Sequence, residues 1–362
     1  MEYNLTLKTP EEEIIQLLER EEIFLNYCPY QTKNICLVAI KKNSNALEYV
    51  ENQTEEMCLL AVKQNGLVLK YVKEQTPEIC LEAVKQNGDA LEYVKNQTHE
   101  ICLEAIKQNG IALQYVKEQT EEMCLIAVKQ FGLFLDYVKN QTEKICLEAI
   151  KNEVDALEYV KNQTKEMCLE AIKKNSDALE YVKEQTEEIC LEAVKQNGCS
   201  LRYVKNQTEE MCLIAVKENG DNLRYVYNQT EKICLEAIKE NGFALKFVKN
   251  QTEEMCFEAV KNDGDALKFV KNQTPEICLA AIKEYKNSFK YCKIPIDTQD
   301  IKVFICQKRK LLCELINGEW LFSIGCQKRI SKKTFLERIY NKDRGLDFNP
   351  HRQEYLDILQ QF

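Results

Sequence analysis

Cysteine is the residue that first suggests chemistry in this chain, with eighteen copies in 362 residues. Twelve of them, from Cys36 to Cys278, recur at a fixed step of 22 residues. Thiols in such numbers can be disulfides, zinc ligands or nucleophiles, and spacing separates these uses. If the 22-residue units stack, equivalent residues lie about one helix layer apart, ~8–10 Å, beyond the ~7 Å between Cα atoms that a disulfide tolerates. Zinc needs clustered ligands, yet each unit offers one Cys, and the only histidines are His99 and His351. The ladder therefore reads as reduced, buried core residues, which implies a reducing compartment. A Cys–His nucleophile would have to join Cys306, Cys313 or Cys326 to His351, whereas free cysteines in small domains are usually core. None of G-x-x-x-x-G-K-[ST], H-E-x-x-H, G-x-S-x-G or G-x-G-x-x-G occurs. No catalytic residue, cofactor, metal ion or small-molecule ligand is expected.

The elements that carry these cysteines are set by the repeat. Gln-Thr recurs with Thr at 32, 54, 76, 98, 120, 142, 164, 186, 208, 230, 252 and 274, without insertion. In the unit QTPEICLEAVKQNGDALEYVKN (75–96), Thr76 is placed to cap a helix, Pro77 suits its first turn, and Glu78 faces the positive end of the dipole. Ile79, Cys80, Ala83 and Val84 form an apolar helical stripe. Asn87-Gly88 is read as the stop, with Gly in the left-handed conformation that often ends helices. A second short helix carries Ala90, Leu91, Tyr93 and Val94. Helices this short rarely persist alone, so the units must stack. The predicted fold is an all-α superhelical solenoid of 22-residue helical hairpins, with a small α+β domain after it. Residues 1–30 read as a degenerate capping unit, 31–294 as twelve repeats, and 295–362 as the α+β module.

Asn-Gln-Thr occurs eight times, formally as glycosylation acceptors. The opening MEYNLTLKTPEEE has neither a basic nor an apolar leader segment, and no run approaches the ~18 apolar residues of a membrane span. The expectation is a chain neither secreted by the usual route nor associated with a membrane, whose threonines act as caps. Its net charge of −9 argues against coating nucleic acid as the main task.

Positions that repeat should build the solenoid, and positions that vary should select its partner. The residue two before the repeat Ala is Glu at 82, 104, 148, 170, 192, 236 and 258, but apolar at Val38, Leu60, Ile126, Ile214 and Ala280. Where Glu is present, a Lys follows three residues later, as in Glu82 and Lys85, which predicts helix-face ion pairs. One unit adds Phe131, Leu133 and Phe134 to Ile126, and another adds Leu67 and Val68 to Leu60, giving candidate apolar partner sites. On the second helix, one position reads Glu48, Lys70, Glu92, Gln114, Asp136, Glu158 and Glu180, then Arg202, Arg224, Lys246, Lys268 and Lys290. This predicts a mostly acidic stripe that becomes basic, with partner-binding candidates at Arg202, Arg224, Lys246 and Lys268.

After Pro295 the pattern changes. Ile301–Ile305 alternates like a strand, and 311–316 with 319–324 reads as a β-hairpin closed by a type I′ Asn317-Gly318 turn. Ser331 can cap a helix through Tyr340, and Asn349-Pro350 opens another that carries Tyr355, Leu356 and Leu359. Cys-Gln-Lys-Arg occurs at 306–309 and 326–329. If the hairpin joins them, Lys308, Arg309, Lys310, Lys328, Arg329, Lys332 and Lys333 form a basic knob beside Trp320 and Phe322, suited to nucleic acid or to an acidic solenoid face.

The iterated EICLEAVKQNGDALEYVKNQT blocks, with the ending GCQKRISKKTFLERIYNKDRGLDFNPHRQEYLDIL, resemble a repeat family of unknown function abundant in mimivirus-like giant DNA viruses. The resemblance implies a viral protein in the host cytoplasm, the viral factory or the virion. With it, the expectation is a non-enzymatic scaffold that presents its solenoid surface to a viral or host protein. The alternatives are a structural virion or factory component and a nucleic-acid tether working through the basic module.

Overall fold

The computed structural model describes residues 5–306, 309–325, 327–340 and 352–362. The chain divides into two bodies, Met1–Glu184 and Gln185–Phe362, and each is described by itself.

Among the described residues, every repeat folds as a ten-residue α-helix followed by a six-residue 3₁₀ helix. The first pair is α2 (Lys33–Lys42) with Ser44–Tyr49, and the last is α13 (Pro275–Glu284) with Lys286–Tyr291. The second helix is therefore a 3₁₀ helix rather than an α-helix. Its buried residues explain why: Gly88, Leu91 and Val94 are three apart, and side chains at i and i+3 eclipse in a 3₁₀ helix. Within each body, every helix pair packs on the next, so the buried Ile, Cys, Ala and Val of each α-helix and the Leu and Val of each 3₁₀ helix form one continuous core.

The repeat threonines cap as expected. The Oγ1 of Thr98 accepts the Ile101 N–H at 3.3 Å, and the same bond starts all twelve repeat helices. Thr98→Ala is expected to cost about 1 kcal/mol and Thr98→Ser much less, because serine keeps the acceptor. Urea unfolding of the two variants checks this, and equal losses would remove the cap as the cause.

The reading of Asn-Gly needs correction. Asn87 is extended (φ −151°, ψ 115°), and its Oδ1 accepts the Asp89 N–H at 2.9 Å, so it ends one helix and caps the next. The repeat glycines do not have positive φ; among the described glycines only Gly318 and Gly325 do. Glycine is needed for close approach instead. A Cβ on Gly66 would lie 2.2 Å from the Ala83 carbonyl oxygen of the following repeat, and one on Gly220 would lie 2.3 Å from that of Ala237.

In the N-terminal body, α1 (Glu11–Glu19) buries Ile14, Leu17 and Leu18 against α2, and Thr32 Oγ1 donates to Glu11 Oε1 at 2.7 Å.

In the C-terminal body the repeats are followed by a five-stranded antiparallel meander: β1 (Ile296–Asp297), β2 (Ile301–Cys306), β3 (Arg309–Ile316), β4 (Glu319–Ile324) and β5 (Gln327–Ser331). The β3–β4 hairpin has the predicted turn, with Asn317 at φ 52° and Gly318 at φ 82°. α14 (Lys332–Tyr340) starts where Ser331 Oγ accepts the Thr334 N–H at 3.2 Å. α15 (Arg352–Leu359) carries Tyr355, Leu356 and Leu359; the expected opening at Asn349-Pro350 lies outside the described residues. Both helices cover one face of the sheet, where Phe322 stacks on Phe335 at 5.5 Å between ring centres.

Candidate interaction surface

Side-chain ladders occupy most repeated polar positions. Gln163 Nε2 donates to the carbonyls of Leu157 (2.9 Å) and Tyr181 (2.8 Å), while its Oε1 accepts the Lys183 N–H (2.9 Å) and the Cys168 thiol (3.9 Å). It thus ties the end of one 3₁₀ helix to the start of its own α-helix and to the preceding repeat. Lys139 Nζ donates to the carbonyls of Val116 and Lys117, both at 2.9 Å, closing the previous repeat's 3₁₀ end. Gln130 Oε1 accepts the Gly110 N–H at 2.6 Å, and its Nε2 donates to the Ile106 carbonyl at 2.8 Å. These groups are committed to structure and leave little polar function for a ligand.

The ladder cysteines, Cys36 to Cys278, are all buried and free. Burial is the main cause that raises the thiols from Cys36 to Cys256 above an ordinary 9.0. Cys278 is lowered instead, because the Cys292 thiol, which stands where other repeats carry Val, donates to it. In the module, burial pushes Cys306 up to about 12 and raises Cys313 as well, so neither is poised as a thiolate. Cys326 and His351 lie outside the described residues. A raised folded-state pKa means that the native chain keeps protons which the unfolded chain releases. Stability is then full below the free-thiol value and falls as pH rises through it. The urea midpoint is expected to drop between about pH 8 and about pH 10, and Cys146→Ala to flatten that drop. A pH-independent midpoint would contradict this.

The glutamate row of the α-helices forms predicted ion pairs in two helices and a further set that sequence reading missed. Lys85–Glu82 (3.2 Å) and Lys239–Glu236 (3.4 Å) lie within one helix. Lys63–Glu82 (3.8 Å), Lys129–Glu148 (4.0 Å) and Lys217–Glu236 (3.9 Å) cross to the next repeat. These three lysines belong to the repeats with Leu60, Ile126 and Ile214 in place of Glu. Lacking a carboxylate three residues before it, each lysine reaches the neighbour's, and the replacement behind this was visible in the aligned repeats.

The apolar candidates divide. Phe131 is 41% exposed and packs edge-on against Phe134, with ring centres 5.4 Å apart, and Phe134 continues to Tyr137 at 6.2 Å. Leu133, Phe134 and Ile126 are half-buried, as are Leu60 and Leu67. Phe134 takes the place of a core Ala and lies over Gly110, where a Cβ would meet its ring at 2.9 Å. Val68 occupies that same Ala position and is 0% exposed, so it belongs to the core and is withdrawn as a contact residue.

The charge stripe lies on the exposed edge of the 3₁₀ helices in each body. In the C-terminal body, cations lie over aromatic rings: Arg202 over Tyr203 (4.5 Å), Arg224 over Phe247 (5.0 Å), Lys268 over Phe243 (4.4 Å) and Lys290 over Tyr291 (4.6 Å). Arg224 and Lys246 share Asp221, each at 3.2 Å, and Lys290 pairs with Asp265 at 3.7 Å.

The β3–β4 pairing brings the described ends of the two Cys-Gln-Lys-Arg segments, Cys306 and Arg309 of the first and Lys328 and Arg329 of the second, toward one end of the sheet, since Leu311 pairs with Ile324 and Cys306 with Arg309. Arg309, Lys310 and Lys328 line a cleft of about 650 Å³ with Lys290 and Phe289. Lys310 donates to the Lys290 carbonyl at 2.7 Å, and burial lowers its pKa. Arg329 is held by the buried Glu314 carboxylate (3.4 Å), which also pairs with Lys286 (2.8 Å). Lys332 and Lys333 open α14, and Lys308 lies outside the described residues. The aromatic neighbours differ from expectation. Phe322 is fully buried, and Trp320 pairs with Leu315 near the Asn317-Gly318 turn, at the opposite end of the hairpin from the basic turns.

Among the described residues, no helix is long and apolar enough to cross a membrane, and no group of three or more His, Cys, Asp or Glu side chains is placed to hold a metal ion. Comparisons with curated proteins and with solved structures return no match. One family model does match, described as a domain of unknown function, DUF4116. It fits nine overlapping windows, 54–98, 76–120, 98–143, 142–186, 164–208, 186–229, 208–251, 230–273 and 252–294. Each window spans about two periods of the 22-residue repeat. Because those windows cover residues 54–294 of 362 without a break, the chain belongs to the DUF4116 repeat family.

Proposed function

We propose that this chain is a non-enzymatic scaffold of a giant virus that works in the host cytoplasm or viral factory by presenting its repeat surface to a viral or host protein. The viral setting rests on the resemblance of the repeat blocks and the C-terminal ending. The observation that carries the scaffold reading is a division of labour between positions. Repeated residues are buried or tied into ladders, whereas most of the varying ones lie on exposed or half-exposed rows of the helices. Phe131 with Leu133 supplies an apolar contact of the kind that marks a partner site, and the charged 3₁₀ edge supplies orientation and salt-sensitive steering.

Affinity purification of the full chain from infected cells, compared with a Phe131→Glu/Leu133→Glu variant, tests this reading. The variant is expected to keep its circular dichroism and lose at least one partner by at least about tenfold, the effect of placing two carboxylates in an apolar contact. A partner set unchanged by this variant and by Arg202→Glu/Arg224→Glu would overturn it. The Lys290, Arg309, Lys310 and Lys328 cleft favours a second reading, contact with a phosphate-rich partner. An electrophoretic shift of an oligonucleotide by the full chain, lost in Arg309→Glu/Lys328→Glu, would support it.

A further inference from the structure

The two bodies carry stripes of opposite charge built on one repeat. Through residue 184 there are 21 Lys and Arg against 32 Asp and Glu, a net of −11; from 185 onward there are 28 against 26, a net of +2. On the exposed 3₁₀ edge of the N-terminal body stand Glu48, Glu92, Asp136, Glu158 and Glu180, with Lys70 the cation among them. Asp89, Asp155 and Asp177 lie three residues before Glu92, Glu158 and Glu180 on the same short helices, which deepens the negative field. The C-terminal body presents Arg202, Arg224, Lys246, Lys268 and Lys290 at the equivalent position of five consecutive repeats, all exposed. Asp221 pairs with Arg224 and Lys246, and Asp265 with Lys290.

We propose that the partner of the basic stripe is the acidic stripe of a second copy of this chain. Two observations single out this occupant. The first is charge complementarity at an identical period: every step is 22 residues in both bodies, so carboxylates and cations recur at one common spacing, about one helix layer or ~8–10 Å. An unrelated acidic partner would have to match that period by coincidence. The second is the state of the aromatic rings. Tyr203, Phe247, Phe269 and Tyr291 are half-buried and carry their own cations at 4.5–4.8 Å. These rings are already engaged, which disfavours the base stacking by which single-stranded nucleic acid is held. What remains for a partner is the outer side of each cation, and a row of carboxylates satisfies it. Exposed ion pairs are weak singly, so the contact depends on several of them in register. It joins two different surfaces of the chain, a heterologous contact, and so leads to rings or open assemblies.

The inference rests on the scaffold reading and is separable from it. Sedimentation of the full chain over a range of concentrations at about 0.1 M salt is expected to show association. At about 1 M salt, where the screening length shrinks from ~10 to ~3 Å, that association is lost. Arg202→Glu/Arg224→Glu/Lys268→Glu weakens association at least about tenfold, and so does Glu92→Lys/Glu158→Lys/Glu180→Lys. Circular dichroism checks that both variants fold. An equimolar mixture of the two variants restores association, because one variant now carries acidic stripes on both bodies and the other basic stripes on both, so the native acidic stripe of the first meets the native basic stripe of the second in matched register. A monomer at every concentration in low salt overturns the proposal, as does association indifferent to salt and to both reversals. Salt-sensitive binding of a single-stranded oligonucleotide by a monomeric chain also overturns it. If the chain is monomeric yet Phe131→Glu/Leu133→Glu still removes a partner, this inference fails while the scaffold reading stands.

Discussion

Gly220→Ala is expected to lower stability by about 3 kcal/mol, the upper part of the range for overpacking a filled site. The new methyl carbon would sit 2.3 Å from the Ala237 carbonyl oxygen and 3.2 Å from the Asn241 nitrogen. Both are backbone atoms of the next repeat, so no side-chain rotation can clear them. Gly110→Ala is the control, because its nearest atoms are Gln130 Oε1 and the Phe134 ring, all at 2.9 Å and all on side chains. A loss of about 1 kcal/mol is expected there. Side chains do occupy this position as Ser44, Val154, Ser176 and Lys286, so the constraint is local to each pair of neighbours. Hydrogen exchange in the helices on either side of the substitution is the measurement. Equal losses for the two variants would remove close approach as the reason for glycine.

Gln163→Leu is expected to cost about 2–4 kcal/mol, more than loss of a helix cap. The substitution keeps the bulk of the side chain and removes two donated bonds and one accepted backbone N–H. It leaves the half-buried Leu157 and Tyr181 carbonyl contacts and the exposed Lys183 N–H without that partner, and the cost of unpaired groups away from water exceeds the net worth of the bonds. Gln163→Glu retains the acceptor and should fall between. Glu158→Gln, on an exposed edge, should stay within about 0.5 kcal/mol of the parent. Urea unfolding of the four proteins orders them, and a Gln163→Leu variant as stable as Glu158→Gln would refute the ladder's importance.

The repeat period, the threonine caps, the apolar stripe of the first helix and the Asn317-Gly318 turn were legible in the chain because each is a local pattern. Thr76 needs only its own next three residues to act as a cap. What was misread depends on neighbours distant in sequence. Gly88 looked like a left-handed stop because the usual reason for Gly after a helix is φ, whereas its actual constraint is Ala105, one repeat away. Val68 looked like a surface anomaly, although it fills the slot of a core Ala. β5 escaped notice because Gln-Lys-Arg-Ile-Ser has no apolar alternation, and its strand character comes from pairing with β4. The candidate surface was legible in outline. Aligning the repeats located Phe131 and the Arg202–Lys290 stripe, but not the stacking of those cations on aromatic rings or the engagement of Arg329 by Glu314.

The central claim is that each 22-residue hairpin is an interchangeable layer, held to its neighbours by the glycine contact and the glutamine and lysine ladders. Deleting residues 97–118, one complete layer, brings Gln119-Thr120 into the register that Gln97-Thr98 occupied. Deleting eleven residues, 97–107, shifts every following layer out of register. Urea unfolding monitored by circular dichroism compares the two. The 22-residue deletion is predicted to keep the parent's helical signal per residue, with a midpoint near the parent's, while the eleven-residue deletion loses signal from the flanking repeats. Equal damage from both deletions would contradict the claim.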